Sequence, residues 1–163
     1  LAAQMGLTYM SSGDYARSIA TQENATALAM GDLSPDHMAI CNWVTKKMLE
    51  TPRIVMDGFP RSAEQFTAFD FSIVDCVIWV DTGFGKCLVH AAHRGRTDDE
   101  VRVFHRRYMN YMKHTAPLME SLHSAPGVGF IHFANDASLE EAQMKLFEAV
   151  AQFLEDRDHG LTN

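Results

Sequence analysis

Residues 57–61 read Asp-Gly-Phe-Pro-Arg and bring an acid, a glycine and an arginine together within one short stretch. They follow an apolar run at residues 53–56 that is typical of a buried strand, and ligands of open α/β sheets bind just beyond such strand ends. Asp57 can reach a metal ion or its waters, Gly58 lets a ligand approach the backbone, and Arg61 offers a planar fork suited to phosphate. The stretch therefore predicts a site for a phosphorylated ligand.

Four further arginines are placed where phosphates can be bound. Arg17 follows the polar turn at residues 11–14, about one turn into a predicted helix, where a helix N-terminus already attracts anions. Arg94 and Arg96 lie in a short connector, and Arg107 lies on the long helix that follows. Taken alone, each is a solvated surface arginine. Together with Arg61, they predict a site that neutralises a transferring phosphoryl group and holds two substrates in line.

Strands and helices alternate along the whole chain. Short β-rich runs predict strands at residues 7–10, 53–56, 74–80 and 129–133. Between and after them, periodic apolar residues and capping signals predict helices, including a long one over residues 98–123 that bends near Pro117. This alternation predicts an α/β protein, with a parallel sheet between two layers of helices.

The composition predicts one globular domain over residues 1–163, since 47% of the residues are hydrophobic and 21% are charged. The formal net charge of −7 argues against a nucleic acid or an anionic membrane as the main partner. No apolar run reaches the length of a membrane span. The three cysteines are scattered, and we expect them to be reduced and to act as small hydrophobes.

Several separated motifs resemble the adenylate kinases, in the order and spacing of that family. Residues 57–61 with Gln65 are similar to its most diagnostic stretch, and residues 11–14 with Arg17 are similar to the start of its monophosphate-binding region. The resemblance extends to residues 31–36, 94–107, 115–117 and 135–137. It implies a small helical monophosphate-binding insertion over about residues 13–50 and a very short lid over about residues 94–99.

The resemblance also implies roles for individual residues. Arg61 and Arg17 would hold the AMP phosphate, Asp57 would reach Mg²⁺ through water, and Gln65 would read the adenine edge. Arg94, Arg96 and Arg107 would stabilise the transferring phosphoryl group from the lid side. The other predicted site residues would border the nucleotides; they are Ser12, Gly13, Gly58, His90 and Asn135.

The sequence departs from the family pattern in three respects. His90 stands where the family has an arginine that stacks on the ATP adenine, and the lid is almost absent between Arg94 and Arg96. The sequence also contains no G-x-x-x-x-G-K-[ST] phosphate loop. In the family that loop follows the central strand of the sheet, so this strand is expected to be missing here. Two pairs of strands would then flank a slot, which a preceding N-terminal segment or another chain is expected to fill.

The favoured function is a nucleoside monophosphate kinase, most simply an adenylate kinase that converts ATP and AMP into two ADP with Mg²⁺. A catalytically inactive structural or nucleotide-sensing subunit is one alternative, and a kinase for UMP or CMP is another. The protein would be a monomer or a subunit of a larger complex. The cytoplasm is the expected compartment, with an organelle or a flagellum as alternatives.

Overall fold

A computed structural model describes residues 1–94 and 100–160, with only the backbone described at positions 93 and 94. The first half contains strand β1 (Thr8–Ser11), helices α1 (Ser12–Ile19), α2 (Gln22–Ala29) and α3 (His37–Glu50), strand β2 (Ile54–Asp57) and helix α4 (Ala63–Ala68). A single 3₁₀ turn at Phe71–Ile73 then leads to the second half. The two strands predicted in this half are therefore present, each displaced by one residue.

The second half contains strand β3 (Cys76–Asp81), helices α5 (Phe84–Arg94) and α6 (Val101–Asn110), a π-helix (Tyr111–Thr115), helix α7 (Ala116–His123), strand β4 (Gly129–Ala134) and helix α8 (Leu139–Asp158). No helix in the described ranges combines the length and the apolar character needed to cross a bilayer.

Four of the described helices, α1, α2, α4 and α8, begin at a side-chain cap. The hydroxyls of Ser11, Thr21, Ser62 and Ser138 accept hydrogen bonds from the backbone N–H groups three residues on. Such caps satisfy N–H groups that have no partner within the helix and typically stabilise it by about 1 kcal/mol. The capping box predicted for α8 is only half formed, because the Glu141 carboxylate pairs with Lys145 instead, at 2.7 Å.

The strands form two parallel pairs, and within the described residues no backbone ladder joins one pair to the other. In the first pair β1 lies beside β2, with Ser11 opposite Asp57. In the second pair β3 lies beside β4, with Asp81 opposite Ala134. The α/β class and the two pairs of strands expected from the sequence are confirmed, and each pair forms its own two-stranded sheet.

A hydrophobic core holds the first half together beneath the predicted ligand site. Val44 on α3 is completely buried and packs with Ala16 of α1 and Phe69 beyond α4. Tyr15 stacks on Trp43 with 4.5 Å between ring centroids, which joins α1 to α3. Phe59, the aromatic residue of the stretch at residues 57–61, meets Phe69 edge-on at 4.9 Å. This contact anchors the turn after β2 to the core.

The long helix predicted over residues 98–123 is divided where it passes between the halves. Its described part runs as α6, the π-helix and α7, and Pro117 falls in the first turn of α7. Proline lacks the N–H that would continue an α-helical ladder, and π-helices occur mostly as single turns inserted into α-helices, as here. The Tyr111 hydroxyl accepts a hydrogen bond from Trp79 Nε1 of β3, and Thr115 Oγ1 donates one to the Arg61 carbonyl beyond β2. The π-helix therefore bonds to both halves.

Candidate phosphate-binding site

The turn after β2 folds Arg61 back onto its own backbone. Arg61 Nε donates a hydrogen bond of 2.7 Å to the Gly58 carbonyl. Gly58 has a φ of +75°, in the left-handed region, and a Cβ placed there would lie 3.0 Å from Arg61 Cζ. Position 58 therefore requires glycine for both its backbone conformation and its contact with the arginine. The Phe59–Pro60 peptide bond between them is cis.

The turn after β1 meets this turn directly, because the ends of β1 and β2 are in register. Ser12 Oγ donates a hydrogen bond of 2.7 Å to the same Gly58 carbonyl. A Cβ on Gly13 would lie 3.2 Å from Arg61 Nη2 and 3.6 Å from Arg17 Nη1. The two guanidinium groups are therefore brought together at the N-terminus of α1, where the helix dipole also favours an anion.

The charges around Arg61 show how positive this site is. Although part of its surface is open to solvent, desolvation by the surrounding protein is the largest effect that lowers the pKa of the Arg61 guanidinium. The positive charges of Arg17 and Arg107 lower the pKa further, and the Asp57 carboxylate acts in the opposite direction. Arg17 is paired with Asp14 one turn away. Three arginines thus lie near one another with Asp14 and Asp57 as neighbouring carboxylates, and their positive charge favours a bound anion.

A small cleft of about 40 Å³ opens beside Arg61. It is lined by α1, by the loop between α2 and α3, and by the segment that leads into α4. The lining residues are Ser12, Gly13, Leu28, Asp32, Leu33, Ser34, His37, Ile40, Arg61, Ser62 and Gln65. The cleft has partly apolar walls and a few convergent polar groups, which is the composition of small-molecule sites.

Gln65 is held in a fixed orientation in this cleft. Its side chain is 4% exposed, and its Oε1 accepts a hydrogen bond of 2.7 Å from the Arg61 backbone N–H. Ser62, which caps α4, accepts the Gln65 backbone N–H and lies 3.2 Å from His37 Nδ1. The amide is therefore positioned by its neighbours before any ligand arrives.

Asp57 lies at the end of β2 with its carboxylate exposed. Tyr9 donates a hydrogen bond of 3.0 Å to Asp57 Oδ2. Burial, and then the Asp57 charge, raises the pKa of the Tyr9 phenol, so the phenol remains a donor at neutral pH. The described residues contain no cluster of three or more His, Cys, Asp or Glu side chains that could enclose a metal ion. A single exposed carboxylate suits Mg²⁺, which keeps several waters and takes its other ligands from phosphates.

The predicted donor-side residues lie by the second strand pair or outside the described residues. Asn135 follows β4, its backbone N–H donates to the Asp81 carbonyl at 2.7 Å, and its buried Oδ1 has no hydrogen-bond partner among the described groups. His90 is exposed on α5. The predicted lid lies outside the described residues, apart from the backbone of Arg94. The part left out includes the side chain of Arg94 and residues 95–99, with Arg96.

The structure therefore brings the predicted acceptor-side residues together: Ser12, Gly13, Arg61 and Gln65 line one cleft, Arg17 and Gly58 lie beside them, and Arg107 acts on Arg61 through its charge. Sequence reasoning missed Phe59, which anchors the turn, and His37, which braces Ser62. His37 is the residue that directly follows the recognised segment 31–36, and this adjacency is the only signal that could have found it.

The first parallel strand pair presents two arginines and a helix N-terminus beyond its carboxyl ends, so the chain is an α/β protein with a candidate phosphate-binding cleft. Comparison with known proteins identifies the family. The chain is 32% identical over 122 residues to an adenylate kinase of Encephalitozoon cuniculi (strain GB-M1), an alignment that covers 70% of the chain and 68% of that protein. The chain belongs to the adenylate kinase family.

Other relatives carry related names. Human adenylate kinase isoenzyme 5 is 30% identical over 137 residues, which is 74% of this chain but only 24% of that protein. A UMP-CMP kinase of Lentinula edodes is 30% identical over 108 residues, which is 63% of this chain and 47% of that protein. No protein-family model matches the chain.

Proposed function

We propose that the protein is a nucleoside monophosphate kinase and that its preferred reaction is ATP + AMP ⇌ 2 ADP. The observation that carries the proposal is the convergence of Arg17 and Arg61, with the charge of Arg107, at the cleft beside the α1 N-terminus. Three positive groups at one cleft match the charge of a nucleoside monophosphate and of the phosphoryl group that reaches it. Membership of the adenylate kinase family supports the same reaction.

The chemistry needs positioning and charge neutralisation without a covalent intermediate. An oxygen of the AMP phosphate attacks the γ-phosphorus of ATP, and the bond from that phosphorus to the β–γ bridging oxygen breaks, so ADP leaves with the electron pair. Arg61 and Arg17 would hold the attacking phosphate in line, and Arg107 would stabilise charge on the transferring group. Arg94 and Arg96, which the resemblance places in the lid, would act on that group from the donor side.

Mg²⁺ is the cofactor that this chemistry implies. Asp57 would hold it through water, because its carboxylate lies exposed at the end of β2 and beside the two turns of the cleft. When bound, the ion supplies positive charge to the phosphate oxygens. On the donor side, Asn135 and His90 would border the ATP adenine.

The orientation of Gln65 favours adenine as the acceptor base. Because its Oε1 is engaged by the Arg61 N–H, its Nε2 remains as the donor for a base. The Watson–Crick edge of adenine presents an acceptor nitrogen at N1, whereas uracil presents a donor at N3. The UMP-CMP kinase relative favours a second candidate, a kinase for CMP or UMP. Cytosine would also accept from Gln65 Nε2, since it presents an acceptor at N3.

A coupled assay of the full-length protein with ATP and AMP, CMP, UMP or dTMP tests the proposal. We expect the highest kcat/KM with AMP, and no turnover when EDTA removes Mg²⁺. Arg61→Ala should lower kcat/KM by about 100- to 1,000-fold, the usual cost of removing a charge-stabilising donor. Arg102→Ala, which removes an exposed arginine of α6, is the matched control and should be nearly silent.

Three results would contradict parts of this proposal. Near-normal turnover by Arg61→Ala would exclude its assigned role, and preference for CMP or UMP would replace adenine as the acceptor base. AMP binding without turnover by the wild-type protein would favour the catalytically inactive alternative.

A further inference from the structure

The turn between α2 and α3 joins the wall of the cleft to α6. Asp32, Leu33 and Ser34 of this turn line the cleft, and Asp32 reaches across to α6. Arg106 Nε lies 2.6 Å from Asp32 Oδ1, and Arg106 Nη2 donates to Asp32 Oδ2 at 2.8 Å. Both carboxylate oxygens are therefore held by one guanidinium, which is the geometry that gives arginine–carboxylate pairs their directionality.

A second bond and a close backbone approach support the same contact. Asn110 Nδ2 donates a hydrogen bond of 3.0 Å to the Gly31 carbonyl. Gly31 has a φ of +91°, and a Cβ there would lie 3.0 Å from the Val103 carbonyl and 3.0 Å from Arg107 Cγ. Only glycine allows the turn to lie this close to the helix.

The α6 residues of this contact follow the period of one helix face. Positions 103, 106, 107 and 110 are separated by three, one and three residues, so they lie on the same side of the helix. That side also includes Arg107, whose charge acts on Arg61. One helix face therefore meets the cleft wall and contributes charge to the phosphate site.

We propose that Asp32, Arg106 and Asn110 are positioning residues that hold the wall of the acceptor cleft at a fixed place relative to the arginine cluster. This inference rests on the proposed function, because it concerns how the acceptor monophosphate is bound. Without the contact, the segment from α2 to α3 would sample other positions, and part of the binding free energy of the acceptor would be needed to order it.

The test measures AMP affinity by titration calorimetry and steady-state KM values in the full-length protein. Arg106→Gln and Asp32→Asn should each weaken AMP binding by about 3- to 5-fold, a size set by the partial exposure of the pair. The KM for ATP should not change. The double variant should bind AMP no more weakly than either single variant, because both changes remove the same interaction. Arg106→Lys, which keeps the charge without the fork, should restore part of the affinity.

Arg102→Gln is the matched control, since it removes the same charge from an exposed position one turn away on α6. Hydrogen exchange of the protein without ligand gives an independent measurement. The backbone N–H groups of Gly31 and Asp32 donate to the Leu28 and Ala27 carbonyls at 3.0 Å, and their exchange should accelerate in Arg106→Gln but not in the control.

Unchanged AMP affinity in both single variants would overturn the inference, and so would equal losses in Arg106→Gln and Arg102→Gln. Faster exchange with unchanged AMP affinity would show a purely structural contact and would also overturn it. If the wild-type protein bound AMP without turnover, the proposed phosphoryl transfer would fail while the positioning effect on affinity could still be measured. If the wild-type protein did not bind AMP, the proposed function and the positioning role would both fall.

Discussion

Gly58 is the residue on which the placement of Arg61 depends. Its φ of +75° is strained for any residue with a Cβ, and an added methyl would collide with the Arg61 guanidinium. We expect Gly58→Ala to lower the free energy of unfolding by about 1–2 kcal/mol, the usual cost of the left-handed conformation. AMP affinity should also fall, because Arg61 must leave its place against the Gly58 carbonyl. Urea unfolding and calorimetric titration with AMP measure the two effects.

Gly85→Ala is the control for this change. Gly85 lies within α5, and a Cβ there would meet no atom within 4 Å. Alanine should therefore stabilise the protein by about 0.4–1 kcal/mol through the unfolded state and leave AMP affinity unaltered. A Gly58→Ala protein that binds AMP as tightly as the wild type would refute the dependence of Arg61 on this glycine.

At the scale of residues, the sequence predicted the polar groups of the acceptor cleft but not their supports. Arg61 and Arg17 are predicted because phosphate recognition restricts which residue types serve at a strand end or a helix start, and Gln65 is implied by the resemblance to the family. The support that Phe59 gives through Phe69, and the contact of Arg106 with Asp32, join positions far apart in sequence. No local pattern marks such partners, because tertiary packing alone brings them together.

The π-helix joins the two halves of the protein, as the contact of α6 with the turn between α2 and α3 also does. Its Thr115 hydroxyl donates to the Arg61 carbonyl at 3.0 Å, and its Tyr111 accepts from Trp79 of β3 at 2.7 Å. We expect Thr115→Val, which keeps the shape and removes the donor, to cost about 0.5–1 kcal/mol of stability, because this carbonyl is open to solvent. AMP affinity should also fall, by about 2-fold, because the lost hydrogen bond helps to hold the Arg61 backbone in place.

Thr67→Val is the matched control for the π-helix change, because Thr67 is exposed on α4. Chemical denaturation and AMP titration of both variants give the comparison. Equal behaviour of the two variants would show that the Thr115 bond does not help to place Arg61.

At the scale of elements, strands and helices were predicted well because apolar runs and caps are local signals. The exception is the π-helix. Pro117 indicated a disturbance in the long helix, but the wider turn precedes the proline and depends on partners in β3 and beyond β2. Whether the helix bends or widens at such a point is decided by those tertiary contacts.

The arrangement of the whole molecule, two strand pairs linked by helices, gives the second half its own buried groups. Cys76 begins β3 beside β4 and α8, where burial, and then the nearby Asp75 charge, raises the pKa of its thiol from 9.0 to about 11. Arg157 of α8, paired with Asp75 at 2.7 Å, and a backbone hydrogen bond from Ile131 limit this rise. The strand pairing was predictable from the order of the strands, whereas this burial follows from how α8 packs.

The raised pKa makes global stability depend on pH above neutrality. Between about pH 9 and 11 the unfolded chain releases the Cys76 proton while the folded protein retains it. The stabilisation is therefore complete below pH 9 and is lost as the pH rises through about 11, with a size on the order of 2 kcal/mol.

Cys76→Ala should show a shallower decline in the free energy of unfolding over this range. Urea unfolding at several pH values between 8 and 11 measures the slope, and the other titrating groups cancel in the comparison with the wild type. Cys87→Ala, a half-buried cysteine of α5, is the control and should keep most of the decline. Parallel curves for the wild type and Cys76→Ala would mean that the thiol of Cys76 titrates alike in the folded and unfolded protein, and that α8 does not shield the start of β3 as the structure indicates.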